Sequence, residues 1–86
     1  MISYEVEFKL SALKELKKLP KQIAIRIVKA IDKLSLDPLL GDVRRMVGST
    51  SWRLRIGDYR VIYDINDRKL IILIIRVRHR KDVYRL

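Results

Sequence analysis

Leu70 to Ile75 reads LIILII, six residues with no polar side chain among them. A strand with one wet face alternates, so an unbroken apolar run of this length points to an interior strand covered on both faces. It is far short of the roughly 20 apolar residues that a membrane-spanning helix needs. The remainder of an 86-residue chain must be arranged around that strand. A chain this short buries only about 60–65% of its surface and has room for one core, so we expect a single domain over residues 1–86. There is no cysteine, which leaves packing alone to stabilise that core and suits the cytoplasm. The N-terminus, MISYEVEFKL, carries acidic residues where a secretory signal would be basic, and neither secretion nor a membrane partner is expected.

Upstream of the apolar run the period of the sequence changes twice. Ile2, Tyr4, Val6 and Phe8 alternate with Ser3, Glu5 and Glu7, the period of a half-buried strand. From Lys9 the apolar residues Leu10, Leu13, Leu16 and Leu19 fall at helical spacing until Pro20 ends that helix and opens another. Ile23, Ile27, Ile31 and Leu34 carry the second helix to about Ser35, and the pair forms an antiparallel helical hairpin. LDPLLGD, Leu36 to Asp42, is a connection punctuated by Pro38 and Gly41. Strand segments follow at Val43–Val47, at Trp52–Tyr63 as a hairpin, and at Lys69–Arg78. The fold class is α+β: an N-terminal strand, the helical hairpin, a mainly antiparallel twisted sheet (β-α-α-β-β-β) and a short C-terminal turn or helix.

The hairpin WRLRIGDYRVIY poses the functional question. Gly57-Asp58 is a two-residue loop signal, which sets Arg55 opposite Arg60 and gathers Trp52, Leu54, Ile56, Tyr59, Val61 and Tyr63 on a core face. The other face then carries Arg53, Arg55 and Arg60. Like charges directly opposed destabilise a sheet by up to about 1 kcal/mol, so stability alone does not select this arrangement. A shared phosphate removes the conflict, because guanidinium forks converging on one anion turn repulsion into a clamp.

The charge of the chain supports a polyanionic partner. Residues 1–43 hold 8 basic and 6 acidic side chains, whereas residues 44–86 hold 12 and 4, so 8 of the net +10 lie in the second half. Ten of those 12 basic residues are arginines, suited to bidentate phosphate contacts, while lysines dominate the first half. Arg44, Arg45, Arg78 and Lys81 are further candidates to contact that polyanion. If the loop at Asn66 to Arg68 has an odd number of residues, Arg76, Arg78 and Arg80 share the face of Arg60, whereas an even count turns them to the core; the odd count is expected. Arg26, on the second helix, has no implied ligand. His79 is the single histidine, and no His, Asp or Glu cluster has metal-ligand spacing, so neither metal nor cofactor is expected.

The order strand, helical hairpin, WRLRIGDYRVIYDI, apolar strand and RHRKDVY resembles the RelE/ParE superfamily of bacterial and archaeal toxins of toxin–antitoxin systems, over nearly the whole chain. The resemblance implies one of two activities. RelE-like members are ribosome-dependent messenger RNA endonucleases that need no metal, and ParE-like members inhibit DNA gyrase and generally lack the terminal arginine and tyrosine. Arg80 and Tyr84 match those two residues, which favours the RelE branch. Arg53 and Arg55 match the basic pair of the family's hairpin strand, where lysines are usual, and Arg60 the arginine after the turn. The implied catalytic set is Arg60, Arg80, Tyr84, Arg55 and Arg53, with His79 as a reserve acid or base, and the implied RNA-binding residues are Arg44, Arg45, Arg78 and Lys81. The implied partners are a cognate antitoxin, an acidic peptide or protein, together with the ribosome and mRNA. A gyrase-inhibiting toxin or an inactive RNA-binding module is the alternative.

Overall fold

The computed structural model describes the backbone of residues 3–85 and the side chains of residues 3–82, so Ile2 lies outside the described residues. The chain runs β1 (Glu5–Phe8), α1 (Leu10–Lys17), α2 (Lys21–Leu34), β2 (Val43–Arg45), β3 (Trp52–Ile56), β4 (Tyr59–Asn66), β5 (Ile71–His79) and a 3-10 turn over Arg80–Arg85. The hairpin segment supplies two strands, giving one five-stranded sheet in the order β1-β5-β4-β3-β2. Among the described residues only the β1–β5 pair is parallel.

The apolar run is thus interior, flanked by β1 and β4. Its cover is unequal. Ile72 and Ile74 are fully buried, whereas Ile71, Leu73 and Ile75 are half-buried. The buried face meets Ile27, Ile31 and Leu34 of α2 and Val61 and Tyr63 of β4 in one cluster. Helix α2 follows the expected stripe, with Ile25 and Val28 turned to solvent. In α1 the stripe is displaced: Leu10 is 66% exposed, and Ala12 is fully buried with Leu16 and Leu19 packed beside it. The cause is close approach to β5. Beyond Ile74 the edge left open by the end of β1 is met by α1, where the Ser11 hydroxyl donates to the Ile75 carbonyl at 3.2 Å. A small side chain at position 12 permits that approach.

The hairpin has the expected register, with Trp52 opposite Tyr63, Leu54 opposite Val61, and Arg55 opposite Arg60. Gly57 takes φ +58° while Asp58 does not enter the left-handed region, as a two-residue loop with glycine first requires. The return into β5 differs from expectation. Asn66 pairs with Ile71, so the loop has four residues, Asp67–Leu70, and this even count on its own turns Arg76 and Arg78 toward the core. A β-bulge reverses the parity: Ile62 pairs with Arg76 and Tyr63 with Ile74, which leaves Ile75 as the additional residue on β5. After it, Val77 points to the core, and Arg76 and Arg78 point to the face of Arg60.

Tyr63 ties the core to the α2–β2 connection. Its ring is fully buried and its hydroxyl donates to the Pro38 carbonyl at 2.6 Å. Burial, with the Asp37 charge adding to it, pushes the phenol up to about 12. A folded value above the unfolded one means that the stabilisation is whole below pH 10 and is lost as the pH rises toward 12. Tyr63→Phe is therefore expected to be less stable by about 1 kcal/mol at pH 8. In denaturant titrations the gap to the parent should close between about pH 10 and 12. A gap that does not change with pH would show that the hydroxyl is not held in this way.

Candidate anion-binding face

Strand register builds the site. On the sheet face opposite the core cluster, Arg44 pairs with Arg53, Arg53 with Ile62, and Ile62 with Arg76, one row across β2, β3, β4 and β5. One step nearer the hairpin turn, Arg55 pairs with Arg60 and Arg60 with Arg78. Six arginines thus surround Ile62. That side chain is 3% exposed yet lies outside the main core cluster. Its cross-strand neighbours Arg53 and Arg76 flank it, and arginine stems commonly cover apolar surface while their heads stay in water.

Two carboxylates stand at the ends of the rows. Asp42 lies 3.6 Å from Arg55 Nε and 3.9 Å from Arg44 Nε. At the other end Glu15 of α1 accepts from Arg78 Nε at 2.8 Å and lies 3.7 Å from Arg76 Nη1. Between them Arg44, Arg53, Arg55 and Arg60, with Asp42, line a cavity of about 210 Å³.

Arg60 is central to this arrangement. Its Nη1 donates to the carbonyls of Gly57 at 2.9 Å and Tyr59 at 2.8 Å, so the turn fixes its direction. Burial first, then the charges of Arg55, Arg53 and Arg80, lower its guanidinium from the ordinary arginine value, and Asp42 opposes the shift. An anion arriving at this face offsets both the desolvation and the repulsion at Arg60.

The structure brings Arg44, Arg53, Arg55, Arg60 and Arg78 of the expected set onto one face. Arg80 stands at its margin: its N–H donates to the Asp58 carbonyl at 2.7 Å, and its Nε lies 3.7 Å from Asp58 Oδ1, which docks the C-terminal segment on the hairpin turn. Arg45 and His79 are elsewhere. Arg45 pairs with Trp52 on the opposite face, its guanidinium 5.3 Å from the indole centroid. His79 pairs with Tyr59 on that same opposite face, in an edge contact at 5.3 Å, and its Nδ1 accepts from the Lys81 N–H. Alternation along β5 sets His79 on the face opposite Arg76 and Arg78, and the bulge decides that the arginines, not His79, share the face of Arg60. Lys81 is exposed in the 3-10 turn, and the Tyr84 side chain lies outside the described residues. Arg26 is not remote: its guanidinium lies against the hairpin turn, 3.3 to 3.6 Å from where a Cβ on Gly57 would stand.

Sequence reasoning missed Glu15, Asp42 and the bulge that puts Arg76 on this face. Glu15 sits four residues after Ser11, and both meet β5, but only the edge left by a short β1 reveals that role.

Comparison with known proteins agrees with this fold. The family model for the ParE toxin of the type II toxin–antitoxin system parDE matches residues 6–84. Toxin RelG of Mycobacterium tuberculosis is 38% identical, over 95% of this chain and 97% of its own. Among solved structures, the RelBE2 toxin–antitoxin complex of M. tuberculosis superposes with a TM-score of 0.79 at 35% identity, covering 91% of this chain and 99% of that one. The archaeal RelE–RelB complex of Pyrococcus horikoshii OT3 gives 0.81 at 32% identity, covering 91% and 96%. On these matches, the strand order and the hairpin that carries the arginine rows, the chain belongs to the ParE/RelE toxin family of type II toxin–antitoxin systems.

Proposed function

We propose that the protein is the toxin of a toxin–antitoxin pair and acts as a ribosome-dependent mRNA endonuclease in the cytoplasm, held in check by an acidic antitoxin. The observation that carries this reading is the double row of arginines around Ile62, with Arg60 crowded between Arg55 and Arg78. Such a face is built for several adjacent phosphates, which a single-stranded RNA presents.

The reaction that suits it is attack by a ribose 2′-OH on the adjacent phosphorus. The O2′–P bond forms and the P–O5′ bond breaks, leaving a 2′,3′-cyclic phosphate and a 5′-OH. Negative charge grows on the phosphoryl oxygens in the transition state, and guanidinium donors fixed in place stabilise it without reorganising. Arg60 is the central donor. Arg78 is its cross-strand neighbour, and Arg80 approaches from the turn. Arg53, Arg55 and Arg44 hold flanking phosphates, and Tyr84 orients a base or handles a proton. Arginine is a poor base because its ordinary pKa exceeds about 12, so this face aligns and neutralises rather than abstracting the proton. Alignment supplied by the ribosome fits that division of labour.

Arg60→Ala is expected to lower cleavage of a translated message by about 10² to 10³, the effect of removing one transition-state donor. Loss of its bonds to Gly57 and Tyr59 offsets the relief of repulsion, so stability should stay within about 1 kcal/mol of the parent. Arg68→Ala, in the Asp67–Leu70 loop, is the proper control, since Arg26 touches the hairpin turn. Primer extension on the message measures the rates. Full activity in Arg60→Ala would remove the clamp.

The match to a ParE toxin model favours one second reading, a protein-binding inhibitor of DNA gyrase. Because Arg80 and Tyr84 match the terminal arginine and tyrosine that ParE-like members generally lack, we expect no inhibition of supercoiling at stoichiometric ratios. Inhibition there without RNA cleavage would establish the second reading.

A further inference from the structure

Glu15 lies on a helix, outside the hairpin and the terminal strand that supply the arginines, yet it is held by three contacts to β5. Its Oε1 accepts from the Val77 backbone N–H at 3.1 Å. Its Oε2 accepts from Arg78 Nε at 2.8 Å and lies 3.7 Å from Arg76 Nη1. The Glu15 and Arg78 side chains are each 23% exposed, so water competes poorly for this pair. The Val77 N–H fixes the carboxylate, because β1 ends opposite Ile74 and no strand takes the next edge donor.

We propose that Glu15 is a positioning residue for RNA cleavage: anchored on the Val77 N–H, it holds Arg78 by Nε beside Arg60, so that both guanidiniums meet one RNA phosphate. The inference rests on the endonuclease reading above. An arginine gripped through Nε keeps its two Nη groups for a second acceptor, and the grip removes rotamer freedom that an anion would otherwise have to remove. Arg60 is fixed independently by the carbonyls of Gly57 and Tyr59. The two cross-strand neighbours are therefore oriented in advance, one by the turn and one by α1. Glu15 also offsets part of the repulsion among Arg60, Arg76 and Arg78, which lets them stand together before RNA arrives.

The test is a double-substitution cycle in the full chain, with parent, Glu15→Gln, Arg78→Ala and the double variant assayed on a translated message with purified ribosomes. Glutamine keeps an oxygen for the Val77 N–H and loses the charge that grips Arg78. Glu15→Gln should lower the cleavage rate at saturating ribosomes by about ten- to a hundredfold, the effect of misplacing an aligned group. In the Arg78→Ala background the same substitution should change the rate by less than about twofold, because coupled residues do not add. A merely structural glutamate would lower both backgrounds equally. The Arg78 Nε–Hε resonance should be protected from exchange in the parent and lose that protection in Glu15→Gln. If Glu15→Gln fails to fold, Arg78→Lys, which keeps the charge and loses the fork, should reproduce the rate loss. Parental cleavage in Glu15→Gln overturns the positioning role alone. A parent chain that cuts no message, while its Arg78 signal is protected, removes the endonuclease reading and this inference with it.

Discussion

One additional residue decides which side of the sheet carries the arginines of β5. A strand alternates its side chains with a period of two, so everything after a single insertion changes face. With the four-residue Asp67–Leu70 loop, an unbroken β5 places Ile72, Ile74, Arg76 and Arg78 on one side, and two guanidiniums enter the core. Ile75, taken out of register, lets Ile72, Ile74 and Val77 all face the helices. Its carbonyl is held by Ser11 and the next edge N–H by Glu15. The first helix thus stabilises the irregularity that makes an arginine face available.

That face is organised electrostatically as well as by register. Three cross-strand pairs on it are arginine with arginine: Arg44 with Arg53, Arg55 with Arg60, and Arg60 with Arg78. Asp42 and Glu15 stand at opposite ends and compensate the outer members, while Arg60 in the middle is bound, among the described residues, to carbonyl oxygens. Unneutralised charge is therefore concentrated at the centre. Buried Ile62 beside it excludes water from the floor, and Coulomb interactions with an arriving anion are strongest where water is displaced.

The hairpin was legible in the sequence because its register follows from one two-residue turn and one alternating pattern, both local. The second helix was legible for the same reason: Ile27, Ile31 and Leu34 are buried at helical spacing. The first helix was misread in detail, since its burial is set by the edge of β5 and not by its own periodicity, and Leu10 and Ala12 exchange the expected roles. The face of Arg76 and Arg78 was correct only through a compensation, an even loop followed by a bulge. No spacing rule announces a bulge in LIILIIRVRH, where every position before Arg76 is apolar. Arg45 and His79 were grouped with the other basic residues by proximity along the chain, and parity separates them in space.

Parity also separates stability from recognition. Leu54, Ile56, Val61, Tyr63, Ile72, Ile74 and Val77 turn to the helices and hold the sheet together, while arginines stand next in sequence to Leu54, Ile56, Val61 and Val77. Each residue on a strand therefore serves one demand only, and the repulsion tolerated on the outer face, of order 1 kcal/mol per opposed pair, is offset by burial on the inner one. Such a molecule holds a face that is unfavourable by itself and favourable when an anion is present. The strain is distributed across four strands and anchored by a turn, two carboxylates and one bulge, so the anion meets guanidiniums that need little rearrangement.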